Sequence, residues 1–92
     1  MSKELLFVIV IGKDRKGIIA KISQMLYERG INIEDVDQKV MEGYFVMTML
    51  VDMKDSTASL DEVRNELERI ESEMHLKIQI QHENIFKQMH RV

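Results

Sequence analysis

The sequence predicts an α+β sandwich: one four-stranded antiparallel sheet with two helices on one face. Three observations carry that prediction. Four runs of strand-like residues alternate with two stretches whose apolar residues recur at helical spacing, in the order β-α-β-β-α-β. The first and third strand runs are apolar at both sets of alternating positions and belong at the centre of a sheet, whereas the second and fourth are more polar and suit its edges. The chain has 92 residues, 45% apolar and 32% charged, enough for a single core. Right-handed crossovers then give the strand order 4-1-3-2 and a ferredoxin-like βαββαβ sandwich. The expected organisation is one domain over 1–92, with a core at about 4–82 and a C-terminal tail at 83–92.

Each element has its own local signal. Leu5 to Ile11 is an unbroken β-branched and aromatic run, too short for a helix, and Gly12 is expected to stop it. From Gly17 the period changes. Ile18, Ile19, Ile22, Met25 and Leu26 fall on one helical face, Lys21, Gln24 and Glu28 on the other, and Gly30 ends the helix. Ile31 to Met41 reads as a long charged edge strand. Glu42-Gly43 is a tight hairpin turn, and Tyr44 to Val51 is its partner strand. After the polar loop Lys54 to Ala58, Ser59-Leu60-Asp61-Glu62 has the pattern of a capping box, in which hydroxyl and carboxylate each satisfy a backbone donor. Leu60, Val63, Leu67, Ile70 and Met74 form the apolar stripe of the second helix. Two heptads are too few for a coiled coil, so the stripe lies on the sheet. Leu76 to His82 alternates, with Leu76, Ile78 and Ile80 inward and Lys77, Gln79 and Gln81 outward.

Composition excludes several classes of function. The absence of Cys removes disulfides, thiolate metal sites and cysteine nucleophiles. The longest apolar run is far below the roughly 18–20 residues of a membrane-spanning helix, and no signal-peptide pattern opens the chain, so a cytoplasmic location away from membranes is expected. A net charge of −3 argues against a dedicated nucleic-acid binder, whose affinity comes from displacing phosphate counterions. His75, His82 and His90 make no zinc pattern, and no Ser has a locally placed histidine base. Asp35 and Asp37 share one face of an edge strand and read as solvated charges. Met25, Met41, Met47, Met49 and Met74 are expected in the core as adaptable packing. No catalytic residue, metal or cofactor is expected.

Two features ask for more than packing. With both helices on one side, either Phe7, Ile9 and Ile11 or Leu6, Val8 and Val10 must lie on the other, and the third strand repeats the problem. That exposes an apolar patch of several hundred Å² that soluble monomers rarely tolerate. A second copy packed face to face or edge to edge is the expected cover, and a monomer whose tail, Ile85 to Met89, folds back across the sheet is the alternative. The second feature is the loop Gly12-Lys13-Asp14-Arg15-Lys16-Gly17. Asp14 is placed to cap the first helix. Lys13, Arg15 and Lys16 sit at the positive end of the helix dipole, where each costs a few tenths of a kcal/mol. A carboxylate or phosphate bound there would turn that repulsion into attraction, and Asp14 could meanwhile pair with an ammonium.

The segments Gly12-Lys13-Asp14-Arg15-Lys16-Gly17-Ile18-Ile19-Ala20 and Leu26-Tyr27-Glu28-Arg29-Gly30-Ile31-Asn32-Ile33 resemble the signature of the ACT domain, a G-x-D-x-x-G-I loop followed by a helix and then G-x-N-I. Gln38 to Met47 is similar to the small stand-alone ACT proteins allied to the glycine cleavage repressor group. The resemblance spans about residues 4–82. It implies a homodimer or higher homo-oligomer that binds an amino acid or small carboxylate between the first loop of one copy and the start of the second strand of the other. Carried over position by position, it implicates Asp14, Arg15, Gly17, Ile18, Asn32 and Ile33, with Asn32 as a polar reader. Lys16 stands where the family often has Pro, which implies a less rigid loop and a more anionic ligand. The expected function is a non-enzymatic allosteric sensor that modulates a partner protein. Three alternatives stand beside it. An acylphosphatase-like hydrolase would use Arg15, but the third strand offers no Asn to orient water. An RNA-recognition motif lacks the basic residue before Gly43. The third is an interaction regulator with no ligand.

Overall fold

In the computed structural model, which describes residues 3–13 and 16–82, six elements follow in the expected order. They are β1 (Leu5–Lys13), α1 (Ile18–Glu28), β2 (Asn32–Met41), β3 (Tyr44–Asp52), α2 (Leu60–Met74) and β4 (Leu76–His82). The sheet order is β2-β3-β1-β4, antiparallel throughout, which is the ferredoxin-like arrangement. Phe45, Met47, Met49 and Val51 of β3 alternate with Leu6, Val8 and Val10 of β1 in one buried layer. Onto it α1 lays Ile18, Ile22, Met25 and Leu26, and α2 lays Val63, Leu67 and Ile70.

Several local expectations are corrected. Gly12 does not stop β1, which runs on to Lys13 while Gly12 pairs with Phe45 and Leu76. A Cβ at Gly12 would lie 2.6 Å from Leu76 Cδ2, so the missing side chain is what lets β4 close against β1. The N-cap of α1 is Gly17, not Asp14, and no side chain among the described residues caps it; Asp14 and Arg15 themselves lie outside the described residues, as do His90 and the tail 83–92. Ile19 is exposed although it belongs to the apolar pattern of α1. Met41 is 58% exposed at the end of the edge strand, whereas Met53, a position with no periodic signal, is buried.

The hairpin between β2 and β3 turns on Glu42 (φ 53°) and Gly43 (φ 81°), left-handed at both central residues as a type I′ turn requires. The α2 start has the full capping box. Glu62 N–H donates to Ser59 Oγ at 3.2 Å, and Ser59 N–H donates to Glu62 Oε1 at 2.8 Å. Asp52 is a buried carboxylate at the end of β3, accepting from the backbone N–H groups of Glu4 and Lys54 at 3.0 Å each. Burial pushes its pKa up, but those two donors, with the charges of Lys54 and Lys3 nearby, outweigh it and hold the carboxyl below its ordinary range.

Candidate functional site

Gly17 takes φ 88°, a left-handed conformation that any side chain would strain, and so turns the chain sharply into α1. The first intrahelical bond runs from Lys21 N–H to the Gly17 carbonyl at 2.9 Å. The N–H groups of Ile18, Ile19 and Ala20 therefore have no acceptor within the helix. No acidic residue lies in the first turn of α1, and Lys16 precedes its cap. Gly17, Ile18, Ile19 and Ala20 form one wall of an open, mostly apolar groove of about 270 Å³, and Gln38, Val40 and Phe45 form the other. The groove exists because α1 stops short of the sheet edge. Val40 of β2 faces the helix side of the sheet, paired with Phe45, yet is 58% exposed.

The other two residues implicated by the sequence lie elsewhere. Asn32 opens β2 opposite Asp52, and Ile33 pairs with Val51, next to a register shift between Ile33 and Asp35. At the far end of the same ladder Met41 pairs with Tyr44, and Tyr44 pairs with Lys13 at the mouth of the β1–α1 loop. Eight residues of β3 separate the two ends, about 27 Å at the rise of a strand. One copy therefore does not bring Gly17 and Ile18 together with Asn32 and Ile33. The Asn32 amide donates to Glu34, whose carboxylate is also paired with Lys3. The hydrogen bond from Lys3 and then that from Asn32 hold the Glu34 carboxyl below its usual range, and Glu34 in turn raises the Lys3 ammonium. Asn32 is thus exposed but fixed in orientation, with its carbonyl oxygen still available to a ligand.

Sequence reasoning missed Ile19, Gln38, Val40 and Phe45 as groove residues. Ile19 and Val40 carried the usable signal, since each is an apolar side chain that the helix layer cannot cover. A second depression between α1 and α2 is lined by charges that pair with one another. Lys21 Nζ lies 3.6 Å from Glu73, and Arg69 Nη1 lies 3.8 Å from Glu66. Among the described residues no three His, Cys, Asp or Glu side chains are grouped to hold a metal ion. No helix among them is long and apolar enough to cross a membrane.

This combination, a βαββαβ sheet with a glycine-turned loop feeding the first helix, defines the class of ferredoxin-like domains of the ACT type. The chain belongs to the ACT domain family, whose model matches residues 4–81. It is 42% identical over 89 residues to a UPF0237 protein of Methanococcus maripaludis, covering 97% of this chain and 99% of that one. Among solved structures, an ACT domain protein from Streptococcus pneumoniae superposes with a TM-score of 0.79 at 35% identity, covering 92% of this chain and 96% of that one. A putative glycine cleavage system transcriptional repressor shares the fold, with a TM-score of 0.75 at 20% identity, over 89% of this chain and 47% of that one.

Proposed function

We propose that the protein is a non-enzymatic sensor that binds an amino acid or related small carboxylate at a homodimer interface and thereby modulates a partner protein. The observation that carries this reading is the uncapped start of α1, three backbone donors with no helical acceptor beside an apolar groove. An anion answers those donors and the helix dipole, and an apolar side chain fills the groove. Lys16, just before the cap, adds positive charge, and the sequence places Asp14 and Arg15 in the same loop, where they would answer an ammonium and a carboxylate.

The edge strand β2 supports the two-copy arrangement. In an antiparallel ladder the backbone groups of alternate residues point to opposite neighbours. A type I′ turn joins Met41 to Tyr44, so Met41, Lys39 and Asp37 address β3 while Val40, Gln38 and Val36 address the open edge. A second β2 pairing antiparallel about Gln38 sets Asp37 against Lys39 of the partner subunit and Val36 against Val40 of the partner subunit. Centring one residue earlier or later opposes Asp37 to Asp37 or Lys39 to Lys39, which is unfavourable. The Gln38 register also carries the start of the partner's β2 to the end of this strand, beside the groove. Asn32 and Ile33 then serve the site of the other copy.

Titration calorimetry with the amino acids and small carboxylates tests the reading. At least one is expected to bind, with affinity reduced tenfold or more in both Asn32→Ala and Lys16→Glu. Mixing those two variants restores one intact site per heterodimer, because each lesion sits in a different copy's contribution. Absence of binding by any of them at millimolar concentration overturns the proposal.

A further inference from the structure

The sheet has two outer strands, and their outer edges are finished differently. In an antiparallel ladder the N–H and C=O of one residue point to the same neighbour, and successive residues alternate. The turn between β2 and β3 makes Tyr44 address β2, so Phe45 addresses β1, where it pairs with Gly12. Ile11 and its partner Lys77 then address each other, and Ile78 addresses the outside of the sheet. A side chain meets it there, for the Ile78 N–H donates to Glu71 Oε2 of α2 at 2.7 Å. We propose that Glu71 guards the outer edge of β4, holding the backbone donor that an added strand needs and so refusing strand addition on that side of the sheet.

The chain path puts Glu71 in that position. His75 alone joins α2 to β4, and its left-handed φ of 55° folds the chain back while its N–H donates to the Glu71 carbonyl. Glu71 therefore lies over Ile78, seven residues further on. It follows Ile70 of the buried stripe and is half-buried, whereas Glu68 and Glu73 are exposed. Together with Leu67, Ile78 and Ile80 it lines a shallow groove of about 240 Å³ between α2 and β4. The helix gains nothing from this charge. The last turn of α2 holds no basic residue, and a carboxylate there meets the negative end of the dipole. Among the described residues Glu71 also forms no ion pair. The bond to the strand edge is the interaction that accounts for an acid at this site.

Neighbouring strands lie about 4.8 Å apart. A carboxylate oxygen 2.7 Å from the Ile78 nitrogen stands in the lane that a fifth strand would occupy. An incoming strand must displace it, exchanging a charge-assisted hydrogen bond for a neutral one roughly half as strong. At the outer edge of β2 the comparable bond is local. The Val36 N–H donates to Oδ1 of Asp35, its own neighbour, at 3.0 Å, and both residues are exposed, so a new strand displaces that contact with little rearrangement. Glu71 thus makes strand addition one-sided. A sheet that accepts strands at both edges grows without closing, whereas one guarded edge ends the growth. The guard stands on β4 alone and does not require the pairing of β2 described above.

NMR titration of the isotope-labelled full chain tests the proposal, with circular dichroism as a check on folding. The probe is an unlabelled heptapeptide with the sequence of β4, Leu76–His82. Following the Ile80 amide, which addresses the same edge as Ile78, reads strand addition at β4 and not at β2. Glu71→Ala is expected to bind the peptide about tenfold or more tightly than the wild type, the factor that one hydrogen bond to a charged group is worth. Glu71→Gln loses the charge but keeps an acceptor of the same length, so it stays closer to the wild type than to Glu71→Ala. Loss of helix-end charge by itself moves both variants equally. Equal affinity in the wild type and Glu71→Ala overturns the proposal, whether the peptide binds both or neither, and so does a Glu71→Gln that behaves as Glu71→Ala. Should Glu71→Ala fail to fold, Glu71→Ser, likewise too short to reach Ile78, takes its place. No amino acid ligand enters the titration, so its outcome is separate from that of the sensor reading.

Discussion

The two helices lie on the same face of one sheet, yet their first turns are built in opposite ways. At α2, Ser59 and Glu62 exchange hydrogen bonds with each other's backbone, and Asp61 and Glu62 place negative charge at the positive end of the dipole. At α1, glycine caps with no side chain, the first turn has no acid, and Lys16 lies just outside. At the α2 start the box satisfies the Ser59 and Glu62 N–H groups from within the chain. The α1 start leaves donors and positive potential directed at a groove.

Substitutions that exchange these properties sharpen the contrast. The largest effect is expected at Gly17. An added Cβ meets nothing within 4 Å, so Gly17→Ala isolates the cost of the left-handed backbone, about 1–2 kcal/mol in urea unfolding. Calorimetry should find ligand affinity falling with it, because the turn that directs the first N–H groups changes. Ser59→Ala removes half of the α2 box and is expected to lose about 1 kcal/mol, read by the same unfolding curve, with ligand binding unchanged. The smallest effect is the pH response of that box. The Ser59 backbone donor, and then its hydroxyl, hold the Glu62 carboxyl below its ordinary value of 4.5. A lowered folded value means that the contribution is fully present above about pH 4.5 and is lost as pH falls through the folded value. Thermal melts of Glu62→Gln should therefore show a shallower decline than wild type below that pH, and no such difference near neutrality.

Much of the fold was legible because its signals are local and redundant. Two strand runs apolar on both faces, a Ser-x-x-Glu box and a Glu-Gly turn each specify their own structure, and together they admit one sheet order. The candidate site was less legible because it depends on coverage, which periodicity does not report. Ile19 has the spacing of a core residue but lies beyond the layer it was assigned to. Met41 has the chemistry of one but sits at the end of an edge strand. Gly12 looks like a stop signal and is instead a point of close approach, a distinction that depends on Leu76, 64 positions away in the chain. Asp52 gave no signal at all, since its burial follows from where Glu4 and Lys54 bring their N–H groups.

The sheet order also has a consequence in time. β1 is the first of the described elements to leave the ribosome and one of the two most apolar strands, yet one of its two neighbours in the sheet is β4, the last described element. At about 5–20 residues per second, roughly 3–13 s separate the emergence of Gly12 from that of its partner Leu76. Throughout that interval β1 can pair with β3 but presents its other edge to the cell. The nascent chain is thus most open to mispairing and to chaperone capture before β4 appears.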